Sequence, residues 1–233
     1  MRFRYVTVLS GLMLCNALWA QNGPVIATGA MRNTMFNGQL AGLISLDSLG
    51  RPGTFGIGPV EYLRGELLVL DGEVFRSTAQ GDSAMKVEIA PATRAPFFVH
   101  QHVEQWTEVS LPPTVIDLAS LDTYLTEHYG SLGQAFAFRL IGDFSAIDVH
   151  IVDVVPGTVI NGPDDAHREN KHFHLHDRAA EVIGFFSTEH KAVFTHHDTN
   201  IHVHAITVER DLMGHVEEIR FDPGHVTLRV AAH

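Results

Sequence analysis

Cysteine is almost missing from this chain: Cys15 is the only one in 233 residues, and it lies in a leader-like N-terminal segment. Without that segment there is no disulfide, no thiolate nucleophile and no cysteine-based zinc site. Positive charge is scarce too. Sixteen Lys and Arg face 27 Asp and Glu, a formal charge of −11. A nucleic-acid binder needs a basic footprint, and so does docking on anionic lipid; both are excluded. No apolar run spans a bilayer comfortably. There is no G-x-S-x-G elbow and no glycine-rich phosphate cradle, and Gly56-x-Gly58 lacks a third glycine and a following helix. What is present is globular, with 45% hydrophobic residues and 14 Phe, enough for a sizeable core in one or two domains.

Residues 1–20 read as a secretory signal peptide. Arg2 and Arg4 form a positive start, Val6–Leu14 an apolar stretch, and Ala17 and Ala20 a small-residue cleavage region. Cys15 raises a lipoprotein alternative, for which Leu14 is a poor preceding residue. The expected product is periplasmic or secreted, with no membrane insertion after cleavage. Removing the two arginines takes the net charge to −13.

Residues 24–104 look β-rich. Glu66–Leu70 and Glu73–Ser77 flank Asp71-Gly72, a two-residue hairpin signal. Pro96–Val103 is a further strand. Leu118, Leu121, Leu125 and Tyr129 recur at helical spacing, so 117–129 is expected to be an amphipathic helix stopped by Gly130. Alternation then returns at Phe136–Leu140 and Ile147–Ile151, with residues 158–171 as loop. Later strands are expected at 172–176, 181–187, 201–208, 215–221 and 225–230. The expected fold is α+β, mostly β, with residues 21–133 and 134–233 as two sheet-based domains.

Sixteen histidines are unusual for this length. In Ile201-His202-Val203-His204-Ala205 the two imidazoles share one strand face. His215 follows after a turn. If the hairpin register sets His215 beside His204, three nitrogens converge with an open position, the donor set of a catalytic zinc. The bland alternative is a solvated or packed His-x-His strand. His172, His174 and His176 also share a face, with His196-His197-Asp198 in a nearby loop. These read either as an auxiliary metal site or neighbours of the first, or as a polar strand face with solvated loop histidines. His172 and His176 are ~13 Å apart on one strand and cannot share an ion. His100 and His102 read as ordinary edge histidines.

These segments belong to a larger pattern that resembles the α-acetolactate decarboxylase family from about Ile26 to Val230. Met35–Ile44 resembles the family's opening strand and Gly56–Leu67 its segment ending in a Gly-Glu pair. Ala95–Val99, Phe136–Phe144 and Ile183–Phe186 match further strands, and His202-x-His204 with His215 matches its metal signature. The resemblance implies conversion of 2-acetolactate to acetoin and carbon dioxide, one Zn2+ per chain on His202, His204 and His215, and a catalytic Glu66. It also implies a metal cleft between two domains and a homodimer. Read alone, Glu66 would be an exposed strand carboxylate.

Three departures stand out. The position of the family's substrate-binding arginine is occupied by His150, a threonine is replaced by Pro59, and the family's C-terminal tail has no counterpart beyond His233. Histidine offers no bidentate guanidinium fork. Arg64, His197, Lys191 and Arg139 are the candidate replacements for that charge; His150, His197 and Arg64 are the expected substrate contacts. Two alternatives remain open: a related metal-dependent lyase or isomerase acting on another hydroxy-keto acid, and a non-catalytic periplasmic metal-binding protein.

Overall fold

The structure, a computed structural model, describes residues 21–232; the signal-peptide reading of residues 1–20 falls outside them. In chain order the elements are β1 (Ile26–Thr28), α1 (Met31–Asn37), β2 (Ile44–Ser45), β3 (Thr54–Pro59), β4 (Glu66–Leu70), β5 (Glu73–Ala79), β6 (Met85–Ile89), β7 (Arg94–Ala95), β8 (Phe98–His102), β9 (Thr107–Val109), α2 (Leu118–Tyr129), β10 (Phe136–Ile151), α3 (Pro163–His167), β11 (Lys171–Phe186), β12 (Ile201–Thr207) and β13 (Met213–Val230). The protein is mostly β, as its composition and alternation imply.

Two sheets dominate. A six-stranded sheet has the order β1-β8-β3-β4-β5-β6, and a five-stranded one the order β10-β11-β12-β13-β9, with β10 also pairing β13; β2 and β7 pair separately. The β4–β5 hairpin forms as its sequence requires. Leu70 faces Glu73, and Asp71 and Gly72 both take positive φ (53° and 83°), which suits a tight turn between right-twisted strands.

Helix α2 also forms. Asp117 caps it by accepting from Ser120 N–H, and the Ser120 hydroxyl returns to the Asp117 N–H, a reciprocal capping box. Its stripe, Leu121 and Leu125, is buried in the same core as Val203, Val216 and Leu228 of the second sheet. The α-helix ends at Tyr129 with Gly130 as its C-cap, as expected, though not in the left-handed conformation of a typical glycine stop. Gly130 keeps right-handed helical φ/ψ and leads into a short 3-10 turn, and the left-handed residue that stops the chain is Gly133. Strand β9 and helix α2 precede the expected boundary at 133 but join the second sheet and its core.

Three differences from the expected elements have physical causes. The pairs of short strands expected in the second half are single strands of 16, 16 and 18 residues. The polar breaks inside them are irregularities rather than ends: register shifts lie at Gly142/Phe144 and Phe144/Ala146, and Asp177 has φ 52°. A bulge bends a strand and lets pairing continue beyond it. Second, Met35–Ile44 is not an opening strand. Residues 31–37 form α1, and only Ile44–Ser45 is extended. Third, the expected loop at 158–171 contains α3, started by Pro163 at its first position.

The two sheets share a core. Phe55, Ile57, Leu68 and Phe75 of the first pack with Ala137, Ile183, Phe185 and Ile206 of the second. Strand β12 is buried along its whole length, covered on both faces. Val203 and Ala205 turn towards α2, whereas Ile206 turns towards the first sheet. By the period of two, His202 and His204 therefore also face the first sheet.

Candidate metal centre

Pairing across three strands assembles the site. His204 lies directly opposite His215 on β12 and β13, the register that three converging nitrogens require. One strand further, His150 on β10 lies opposite both His215 and His172. Gly214 permits this crowding: a Cβ there would sit 2.7 Å from the His150 carbonyl oxygen. Ring centroids of His202, His204 and His215 are 4.9–5.3 Å apart, and all three residues are buried.

A fourth imidazole joins them. His196, from the loop between β11 and β12, places its Nε2 3.1 Å from His215 Nε2, and His202 Nε2 lies 3.1 Å from His215 Nδ1. Ligating nitrogens of His196, His202 and His215 all lie within 4.8 Å of one another. His204 stands beside this trio and turns its Nε2 towards Glu66, 3.7 Å from Oε2. The sequence signals His202, His204 and His215 by spacing. His196 belongs to the loop cluster read as an auxiliary site or a neighbour of the first; the structure makes it a neighbour, through the path of the loop.

Burial is the main reason these rings are poor bases. It lowers the His196, His202 and His215 pKa values, with neighbouring histidines adding repulsion, and takes His204 down to about 3. Neutral imidazole is the form that binds a metal. The His204 Nε2 is buried without a hydrogen-bond partner among the described residues. A buried orphan lone pair beside three neutral rings fits a divalent cation, and the nitrogen-only donor set suits zinc.

Glu66 comes from the first sheet. It opens β4, opposite Pro59 and Ser77, and is 3% exposed, not the surface carboxylate that β4 alone suggests. Its Oε1 accepts the Val152 N–H at 3.1 Å. Burial raises its pKa well above the ordinary value, and the Val152 bond opposes this only in part. Gly65 is needed to deliver it. At φ +135° a Cβ would lie 2.3 Å from the Ser77 carbonyl oxygen.

A cavity of about 470 Å³ holds Glu66 and the histidines 202, 204, 215, 196 and 150, with Met35, Leu63, Phe97 and Val152 as apolar wall. A second cavity of about 680 Å³ also reaches His196, His202 and His215.

The expected substrate contacts divide. His150 lines both cavities, and its Nδ1 is 3.0 Å from Glu217 Oε1. His197 lies at the rim, exposed. Arg64 lines neither cavity and pairs with Asp153 at 3.2 Å. Arg139 is committed to Glu181 and lies over Phe55 and Trp106. Lys191 is exposed and lines neither cavity. The histidines 172, 174 and 176 form an exposed strand face, His172 bonded to Glu217 and His174 to Asp148. His102 pairs with Glu104.

A mostly-β scaffold that presents buried neutral histidines and a buried carboxyl to one cavity defines a site able to hold a metal ion. The model of the alpha-acetolactate decarboxylase family matches residues 28–233, and the chain belongs to that family. The alpha-acetolactate decarboxylase of Brevibacillus brevis is 23% identical over 84% of this chain and 66% of its own length. That of Methanosarcina mazei is 24% identical over 82% and 64%. The chain thus spans just under two thirds of these relatives. Among solved structures, alpha-acetolactate decarboxylase from Bacillus subtilis superposes with a TM-score of 0.72 at 18% identity, covering 89% of this chain and 84% of that one. A Staphylococcus aureus protein described as similar to alpha-acetolactate decarboxylase gives 0.71 at 17% identity, covering 88% and 84%. At these identities the superpositions show the fold.

Proposed function

We propose that the protein is a zinc-dependent carboxy-lyase that converts 2-acetolactate to acetoin and carbon dioxide. The observation that carries this reading is the entry of His202, His204, His215 and Glu66 into one cavity from two sheets. The second sheet supplies the histidines and the first the carboxyl, so the two sheet-based halves of the chain divide the work.

His202, His204 and His215 would hold the ion, with His196 beside them as a further donor or as a neighbour that orients His215. When bound, the ion supplies Lewis acidity to the substrate's carbonyl and hydroxyl oxygens. The apolar wall of Leu63, Phe97 and Val152 would shield the reacting carbons from water. Loss of carbon dioxide leaves an enediolate that needs a proton on carbon. Glu66 would give it, a role supported by Val152 holding Oε1 while Oε2 lies 3.7 Å from His204 Nε2.

His150, tied to Glu217, supplies no guanidinium fork to a carboxylate, which supports a second reading: a related lyase or isomerase on another hydroxy-keto acid. The signal-like composition of residues 1–20 supports export to the periplasm or exterior. The purified protein should form acetoin from racemic acetolactate, and a chelator should abolish this. Metal-bound protein that makes no acetoin would discard this substrate; turnover that survives complete chelation would discard the metal.

A further inference from the structure

We propose that Arg32, on the rim of the cavity that holds Glu66, binds the acid group of the substrate and sets which ligands the site accepts. This rests on the reading above in one respect, that the cavity is the substrate site.

Among the described residues Arg32 is the only lysine or arginine lining that cavity. Its backbone is anchored, because the N–H groups of Met31 and Arg32 donate to the carbonyls of Val193 and Ala192 at 2.8 and 3.0 Å. This ties α1 to the loop that carries His196 and His197. Its guanidinium, by contrast, is exposed and makes no ion pair or hydrogen bond among the described residues. All five donors remain available, arranged to grip a carboxylate in two parallel bonds. Arg64, Arg139 and Lys171 are committed elsewhere, to Asp153, Glu181 and Asp82, and Lys191 lines neither cavity.

The surroundings favour an anion at this place. Met31, Met35, Phe36 and Leu63 also line the cavity, and apolar neighbours, by lowering the local dielectric, strengthen a charge pair. Asp164 shares the rim, on α3, and forms no pair with Arg32 within 4 Å. The second cavity reaching the same histidines repels anions. Asp117, Asp122, Asp198, Glu217 and Glu218 line it against Arg220, which Asp117 already engages. A negatively charged ligand therefore approaches the histidines past Arg32.

The test compares the metal-loaded wild type with Arg32→Gln and Arg32→Lys by calorimetry, using 2-hydroxyisobutyrate and its uncharged amide as probes. Acetolactate saturation is measured in parallel. In the wild type the acid should bind more tightly than the amide. Arg32→Gln should weaken the acid by roughly five- to tenfold, leave the amide unchanged, and raise KM with little change in kcat. Arg32→Lys should fall between. A merely structural role would weaken both probes alike. An acid-to-amide ratio unchanged in Arg32→Gln, or no preference for the acid in the wild type, overturns the proposal. If acetoin forms while the ratio is unchanged, only this inference fails. If no acetoin forms but the ratio falls, the choice of acetolactate fails and Arg32 keeps its role.

Discussion

His204 and His215 face each other across the β12–β13 pair, and His150 stands beside His215 on the next strand. A shift of one residue in β12 would turn His202 and His204 away from Glu66 and bring Val203 inward. The site is thus held by the same backbone ladder that builds the core, and its donors are fixed before any ion arrives.

Replacing His202 or His215 by Ala should abolish tight metal binding and turnover together, since each is within ligating reach of two other rings. His204→Ala should do the same if its orphan Nε2 is a ligand. His196→Ala distinguishes the two roles open to His196. Loss of about 10- to 100-fold in metal affinity, with metal still bound at saturation, marks an orienting neighbour. Complete loss marks a ligand. Metal content after dialysis, with binding titrations, reads both.

Glu66→Gln keeps the volume and lets the side chain still accept from Val152. Metal content and melting temperature should be preserved, while kcat falls by about 10² or more, the usual share of a positioned proton donor. Full activity in this variant would remove Glu66 from the chemistry.

Gly65→Ala forces a Cβ to within 2.3 Å of a backbone oxygen at a φ that side chains rarely adopt. Stability should fall by roughly 1–3 kcal/mol, the cost of such strain. Activity should fall more than stability, because the strand that moves carries Glu66. Urea denaturation and kcat on the same preparation compare the two.

Asp117→Ala removes the α2 cap and should cost about 1 kcal/mol near neutral pH. The hydrogen bonds from Ser120, with Arg220 nearby, hold the Asp117 carboxyl below its ordinary value of 3.8. A carboxyl depressed in the folded state stabilises above its unfolded value, and that contribution is lost as pH falls through the lower, folded one. The wild type and Asp117→Ala should therefore differ at pH 7 and converge at strongly acid pH. A gap that persists there would assign the effect to packing.

Much of this was readable in the residues. Asp71-Gly72 announces its hairpin, Leu121 and Leu125 announce α2, and His202-x-His204 with His215 announces the three-histidine face. Other features depend on tertiary paths that no local pattern encodes. Gly142, Asp177 and Asp222–Gly224 look like strand ends, but long-range pairing carries the strands through them. Helix α1 offers no capping side chain, since Ala30 precedes it. Its anchorage is the loop at 192–193, distant in sequence. Arg32 reaches the cavity rim through that contact and is not visible until the chain is folded; His196 is visible as one of the loop histidines, but its place beside His215 is not.

The most direct measurement is the acetoin-forming rate of metal-stripped protein titrated with zinc. The account predicts a rate that rises from near zero and saturates at one equivalent per chain, with no response in His202→Ala. A rate independent of zinc, or several weak equivalents bound without turnover, would contradict it.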